Sequence, residues 1–376
     1  MLLGWLLLVA WPVPALADGG APNLAYVAGA GPGISIIDIG QKKVTGTFTL
    51  AGSPQSVYLS LDGRFLYVAQ PALNQISVLS AKNGQLVCKA HVPGAPAFQA
   101  YDPQTNSLFV AGSQAASISN IDMSDCAILH TWQTGAPVQG MVVVNLASDT
   151  TNNQLWVSNG SGVTVFDVKT RQELAAIPLP GAPRYLCDPP GVWVYATTQQ
   201  GGLYAISLTS HRLLELLNNG QFGTMDFDET TGEVYVPDSL QKQLDVISPP
   251  DSLATTAPAE PVHTYALSAA PVSVAITSDG QLGFVALDTG QVVMLDILGH
   301  QVLQTINVGG GPRFIITGLY PPVLGSTPQQ ASLLNAVAAI VAYLFIAASV
   351  VVPVGYIVRK NRKSKAQIQS VRESSE

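Results

Sequence analysis

Residues 51–92 read AGSPQSVYLSLDGRFLYVAQPALNQISVLSAKNGQLVCKAHV, and this stretch decides the fold. A small-residue corner, Gly52-Ser53-Pro54, opens it. Four runs rich in β-branched and aromatic residues follow: Ser56–Leu61, Phe65–Ala69, Ile76–Leu79 and Leu86–Val92. Asp62-Gly63 separates the first pair and Asn83-Gly84 the last pair. Both dipeptides signal tight hairpins, whose central residues need positive φ. The spacing predicts a four-stranded antiparallel meander.

The meander recurs along the chain in three independent series. An aromatic residue followed by Val stands at Tyr26, Tyr67, Phe109, Trp156, Trp193, Tyr235 and Phe284. An Asp or Ser closes the third strand at Asp38, Ser80, Asp122, Asp167, Ser207, Ser248 and Asp296. The corner stands at Gly52, Gly94, Gly135, Gly181, Gly220, Ala269 and Gly310. From first copy to last each series spans 258 residues, six intervals of 43. A period of this length with four strands per period marks a β-propeller, and seven copies predict seven blades. A generic β-sandwich is the competing all-β reading, but three markers in one register count against it. Two corners are degenerate: Gly220-Gln221-Phe222 lacks Pro and Ala269-Ala270-Pro271 lacks Gly.

Closure follows from the ends. Leu24–Ala28 reads as a second strand with no first strand before it, and Arg313–Leu319 as a first strand with none after it. Joined, they complete one blade of three N-terminal strands and one C-terminal strand. That 3+1 pairing removes exposed sheet edges.

The same residues resemble the YVTN-type β-propeller repeat. Ser60-Leu61-Asp62-Gly63, Tyr67-Val68-Ala69 and Thr277-Ser278-Asp279-Gly280 carry the likeness, which covers roughly Asn23 to Tyr320. The resemblance implies the fold and little more. Members include surface-layer proteins, periplasmic binding propellers, and domains of lactonases and quinoprotein or haem oxidoreductases. Function therefore has to come from a site.

The segments around the propeller, expected over residues 18–320, set its address. Residues 1–17, MLLGWLLLVAWPVPALA, read as a secretory signal ending in Ala15-Leu16-Ala17. The apolar run lacks a preceding Lys or Arg, so an uncleaved anchor is the other reading. Residues 321–332 form a Pro-containing linker. Residues 333–357 hold 25 residues without a charge, enough for a helix of about 37 Å that crosses a hydrocarbon core of about 30 Å. Arg359, Lys360, Arg362, Lys363 and Lys365 follow in the tail, residues 358–376. By the positive-inside rule the C-terminus is cytoplasmic, giving a single-pass type I protein of the cell membrane with the propeller outside.

The tail holds six of the 17 basic residues and two of the 24 acidic ones, so the rest carries a net charge of −11. That excludes a basic nucleic-acid footprint. Two insertions are expected as loops, around Ala147–Asn153 and at Pro249–Val262 (PPDSLATTAPAEPV), the latter a solvated spacer. Cys88 and Cys126 fall at unequal offsets from their next corners, six and nine residues. Equal depth is needed for a disulfide, so three free thiols are expected, with Cys187 buried on an inner strand.

Sites are sparse. The five histidines, His91, His130, His211, His263 and His300, lie apart in sequence and on outer positions, so no metal site is expected. No catalytic or cofactor motif appears. Asp226-Phe227-Asp228-Glu229 reads as turn formers, with a calcium or acid/base site as the alternative. The remaining constellation follows the corner prolines, where Arg184, Arg313 and Gln55 begin innermost strands. Arg184 and Arg313 are three blades apart in a ring of seven, nearly opposite across the funnel. Either each pairs with a neighbouring acid, or together they attract a carboxylate- or phosphate-bearing ligand or an acidic peptide end. The expectation is a binding, recognition or surface-scaffold module without catalysis. Its ligand is an extracytoplasmic protein or a small anion. The alternative is a lactonase-like or quinoprotein-like propeller enzyme or electron-transfer partner.

Overall fold

The computed structural model describes residues 23–102, 105–145, 153–256 and 260–318. The chain divides into two compact units, Met1–Pro322 and Val323–Glu376, and every described residue belongs to the first. The expected signal, linker, membrane helix and tail lie outside the described residues, as does most of the Ala147–Asn153 insertion. Among the described residues no helix is long and apolar enough to cross a membrane.

Seven four-stranded antiparallel sheets form the propeller. Blade 1 takes β1 (Leu24–Ala30), β2 (Gly33–Asp38) and β3 (Lys43–Thr49) from the N-terminal side. Blade 2 is β4 (Ser56–Leu59), β5 (Phe65–Gln70), β6 (Gln75–Ser80) and β7 (Leu86–His91). Blade 3 is β8 (Pro96–Asp102), β9 (Ser107–Gly112), β10 (Ser117–Asp122) and β11 (Ile128–Gln133). Blade 4 is β12 (Val138–Val144), β13 (Gln154–Asn159), β14 (Gly162–Asp167) and β15 (Glu173–Pro178). Blade 5 is β16 (Pro183–Cys187), β17 (Trp193–Thr198), β18 (Leu203–Ser207) and β19 (Leu213–Leu217). Blade 6 is β20 (Asp226–Phe227), β21 (Val234–Asp238), β22 (Gln243–Ile247) and β23 (His263–Ala266). Blade 7 is β24 (Pro271–Ile276), β25 (Leu282–Leu287), β26 (Gln291–Asp296) and β27 (Gln301–Asn307). The last strand, β28 (Phe314–Gly318), pairs with β1 from Leu24↔Gly318 to Ala28↔Phe314 and completes blade 1. The expected 3+1 closure is therefore present.

Each seam between neighbouring blades is filled by one apolar cluster, seven in all among the described residues. The aromatic series seats these clusters: Tyr26, Tyr67, Phe109, Trp156, Tyr235 and Phe284 are at most 1 % exposed. Burying each contributes roughly 1.5–3 kcal/mol. The fifth blade departs from the expected series. Trp193 pairs with Ser207 as Phe65 pairs with Ser80, so the seat equivalent to Tyr67 is Tyr195, two residues later. Trp193 has another partner: its Nε1 donates to the Pro250 carbonyl at 3.0 Å, and Ala254 packs on the same cluster. The start of the Pro249–Val262 insertion is thus docked onto the seam between blades 5 and 6.

Blade 6 shows what the degenerate corner costs. Phe222 fills the place of the missing Pro at 3 % exposure, and the inner strand β20 keeps only two residues. Thr224 bonds outward to blade 7, its N–H to the Val272 carbonyl at 3.1 Å and its carbonyl from the Val274 N–H at 3.2 Å. A Cβ on Gly223 would stand 2.5 Å from the Val272 oxygen, so this close approach requires glycine.

The expectation of three free thiols is wrong. Cys88 and Cys126 form a disulfide with Cα atoms 6.1 Å apart, while Cys187 is free and buried. Offsets along the chain misjudged depth because Cys126 is not on a strand. It sits in the β10–β11 turn at φ 65°, and β11 starts only at Ile128. That turn leans across the seam onto blade 2, where the Tyr67 hydroxyl donates to the Met123 carbonyl at 3.0 Å. Non-reducing peptide mapping should recover the Cys88–Cys126 peptide, with Cys187 alkylated only after unfolding. Cys88→Ser should lower stability by about 2–4 kcal/mol without changing the fold; an unaltered Tm would contradict a structural role for the bond.

Candidate functional site

The innermost strands enclose an axial cavity of about 460 Å³. Its wall comes from β4, β8, β12, β16, β28 and the segment leading into β20. Aromatic side chains Tyr58, Phe98, Tyr185 and Phe314 alternate there with polar ones, among them Gln55, Gln99, Ser113 and Gln114. Among the described residues Arg313 is the one lining residue with a full charge, and no Asp, Glu, His or Cys lines the cavity.

The expected pair of arginines is only half assembled. Arg313 and Gln55 do meet: Nη1 of Arg313 donates to Oε1 of Gln55 at 2.8 Å, across the junction of blades 1 and 2. Gly29 makes room for the arginine. It adopts φ 80° at a bulge in β1, and a Cβ there would lie 3.0 Å from Cγ of Arg313 and 2.7 Å from the Gly311 oxygen. Arg184 stays apart from them. Its guanidinium lies over its neighbour Tyr185, 4.9 Å from the ring centroid, and Nη2 donates to that hydroxyl at 3.1 Å. Among the described residues neither arginine has a carboxylate partner. Among the described residues the one ion pair is Arg64–Asp62 at 3.5 Å, on the surface. Among the described residues no ion pair stands behind the alternative of arginines neutralised by adjacent acids.

Gln99 adds a buried acceptor. Its Nε2 donates to Oγ of Ser56 at 2.9 Å, and Ser56 donates to the Ala97 carbonyl at 2.8 Å. Oε1 of Gln99 is buried and has no hydrogen-bond partner. A buried acceptor left unmatched costs free energy, which a donor on a bound molecule or a water recovers. Burial, then Tyr101 and Tyr67, holds the Tyr58 hydroxyl of the cavity wall well above the ordinary phenol range.

Two buried acids stand on or next to innermost strands outside the cavity lining. Asp188 follows β16 and Asp226 opens β20. Asp226 was expected in a turn. Instead its Oδ2 accepts the Ile276 N–H at 2.7 Å and ties blade 6 to blade 7, while Asp228 alone caps the turn, accepting from Thr230 N–H at 2.8 Å. The residue is half-buried, but its carboxylate is enclosed. Burial pushes its pKa up to about 7, against the lowering effect of the Ile276 and Phe227 N–H groups. Burial likewise raises Asp188 to about 7. The Cys187 thiol beside them is raised by burial and then by these two acids. Among the described residues no group of three or more His, Cys, Asp or Glu is placed to hold a metal.

No family profile matches the chain, and no curated protein matches it in sequence. Solved structures share the fold. The periplasmic gluconolactonase PpgL of Pseudomonas aeruginosa aligns with TM-score 0.64 and 17 % identity over 79 % of this chain and 99 % of that one. Apo AztD of Citrobacter koseri aligns with TM-score 0.59 and 13 % identity over 80 % and 98 %. The dihydro-heme d1 dehydrogenase NirN, in complex with DHE, gives TM-score 0.58 and 16 % identity over 81 % and 78 %. The chain is a seven-bladed propeller similar in architecture to these proteins. At such identities the likeness concerns the fold alone.

The raised aspartates give a pH dependence. Folded Asp226 and Asp188 keep their protons to a higher pH than the unfolded chain does, so folding takes up protons between the two values. Their contribution is full below the ordinary carboxylate range and is lost as pH rises through about 7. Asp226→Asn with Asp188→Asn should flatten the fall in Tm between about pH 5 and about pH 8. The asparagine carbonyl still accepts from Ile276. An equally steep fall in the double variant would contradict the assignment.

Proposed function

We propose that the chain is an extracytoplasmic recognition module of the YVTN-repeat type, tethered by one membrane span, whose axial cavity binds a carboxylate- or phosphate-bearing small molecule. The observation that carries this reading is Arg313. It stands at the cavity with its guanidinium oriented by Gln55 and without a carboxylate partner. A planar fork free of an internal counter-ion suits bidentate capture of an oxyanion. The cavity size falls within the range of small-molecule sites, roughly 300–1,000 Å³. Aromatic walls supply apolar contact, and Gln99 offers an acceptor for a hydroxyl or amide of the ligand.

Support for the address comes from the sequence alone. The uncharged stretch 333–357 and the basic tail after it support a C-terminus inside and a propeller outside. The disulfide between blades 2 and 3 fits an oxidising compartment.

The lining favours binding over catalysis. General acid–base work needs a group titrating near the working pH, and burial holds Tyr58 of the cavity well above it. The likeness of fold to a gluconolactonase gives the enzymatic reading its test, hydrolysis of sugar lactones.

A thermal-shift series on the full chain checks both readings. Gluconate, citrate and a sugar phosphate should raise Tm, whereas neutral sugars should not. Arg313→Ala should weaken the responsive anion by about 1.5–3 kcal/mol, roughly tenfold or more, and Gln55→Ala by less. Equal shifts in wild type and Arg313→Ala would end the proposal. Lactone hydrolysis that survives purification and falls with cavity substitutions would favour the enzyme.

A further inference from the structure

One locus recurs at the seams of the ring. In five blades the third-strand Asp or Ser caps the turn that follows it: Asp122 accepts from Ser124 N–H at 2.8 Å, and Asp296 from Gly299 N–H at 2.9 Å. The residue four positions after that marker takes positive φ, at Lys42, Gly84, Cys126, Arg171, His211 and His300. At Lys42, Gly84, Cys126 and His300 it meets the outer strand of the preceding blade. At the seam of blades 7 and 1, Nε2 of Gln304 donates to the Lys42 carbonyl at 3.1 Å. At the seam of blades 2 and 3, Cys88 is bonded to Cys126. At the seam of blades 6 and 7, the rings of His263 and His300 lie 4.5 Å apart, tilted by 35°. The three outer-strand partners are equivalent in register. Gln304 pairs with Met294, Cys88 with Val78 and His263 with Val246, each two residues before the marker.

We propose that the locus between blades 6 and 7 is a two-imidazole site for a divalent transition-metal ion of the Zn²⁺ and Cu²⁺ class, a second staple of the ring. Sequence spacing conceals the pair, because 37 residues separate the two histidines and repeat geometry brings them together. Imidazole nitrogen selects such ions over Mg²⁺ and Ca²⁺. One ligand comes from each blade, so the ion would bridge the seam as the disulfide does four seams away. Tyr265 orients the pair. Its ring is 4 % exposed and packs edge-on to His263 at 4.5 Å. Its hydroxyl lies 3.4 Å from Nδ1 of His300. Accepting the proton of Nδ1 leaves the Nε2 lone pair of His300 free to ligate, the usual outer-shell arrangement for a metal histidine. His300 is exposed and His263 half-buried, so an ion can enter from solvent. Water completes the coordination, since no third His, Cys, Asp or Glu among the described residues joins the two rings.

The test is titration of the full chain with Zn²⁺ and Cu²⁺ at neutral pH, with Mg²⁺ as control. Calorimetry should show a saturable site with one ion per chain and a rise in Tm; Mg²⁺ should do neither. The Cu²⁺ form should give an electron paramagnetic resonance spectrum with two equatorial nitrogens. His263→Phe and His300→Phe keep a ring in the seam and should each abolish that site, and Tyr265→Phe should weaken it about tenfold. Binding that persists unchanged in both histidine variants, or no saturable binding of either ion to the wild type, would overturn the proposal. Because the two Phe variants retain ring packing, a native Tm without metal separates loss of ligation from misfolding.

Discussion

A closed ring leaves no seam free to slip. Pairing of β28 with β1 from Leu24↔Gly318 to Ala28↔Phe314 fixes the last sector against the first, and the remaining seams must share the circle between them. The constraint explains why seven separate apolar clusters are filled by equivalent positions. It also delivers the cavity arginine. Arg313 immediately precedes the closing strand, so the hydrogen bonds that complete blade 1 set its guanidinium beside Gln55 at the start of blade 2.

Equal seams turn a local turn into a long-range contact. At four seams the turn after a third strand puts one residue at positive φ against the outer strand of the neighbouring blade. The contact differs from seam to seam: a hydrogen bond to the backbone carbonyl at Lys42, a covalent bond at Cys126, a neighbouring imidazole at His300. The scaffold is constant and its staples are interchangeable. The seam after blade 5 lacks such a turn, and there the insertion contributes its own clasp through Trp193 and Pro250.

Strand order, blade number and closure were legible in the sequence because the markers are periodic, and period survives local irregularity. The departures arose where depth was inferred from spacing along the chain. Cys126 counts as a strand residue by position, yet lies in a turn that crosses a seam. Trp193 follows the aromatic-Val pattern, yet Tyr195 occupies the seat. The candidate site was visible in part. Corner geometry pointed to Arg313 and Gln55, whereas the stacking of Arg184 on Tyr185 depends on a side-chain rotamer that no pattern records. Asp226 was hidden for a different reason: its partner, the Ile276 N–H, belongs to the next blade, 50 residues away.

The central claim is that all short-turn seams share one register. It is tested most directly by replacing the histidine pair with cysteines, His263→Cys together with His300→Cys, and following their oxidation in the full chain. The account predicts a new disulfide at that seam, formed under mild oxidant beside the native Cys88–Cys126 bond. Two thiols that stay free while the native bond forms would show that the seams are not equivalent.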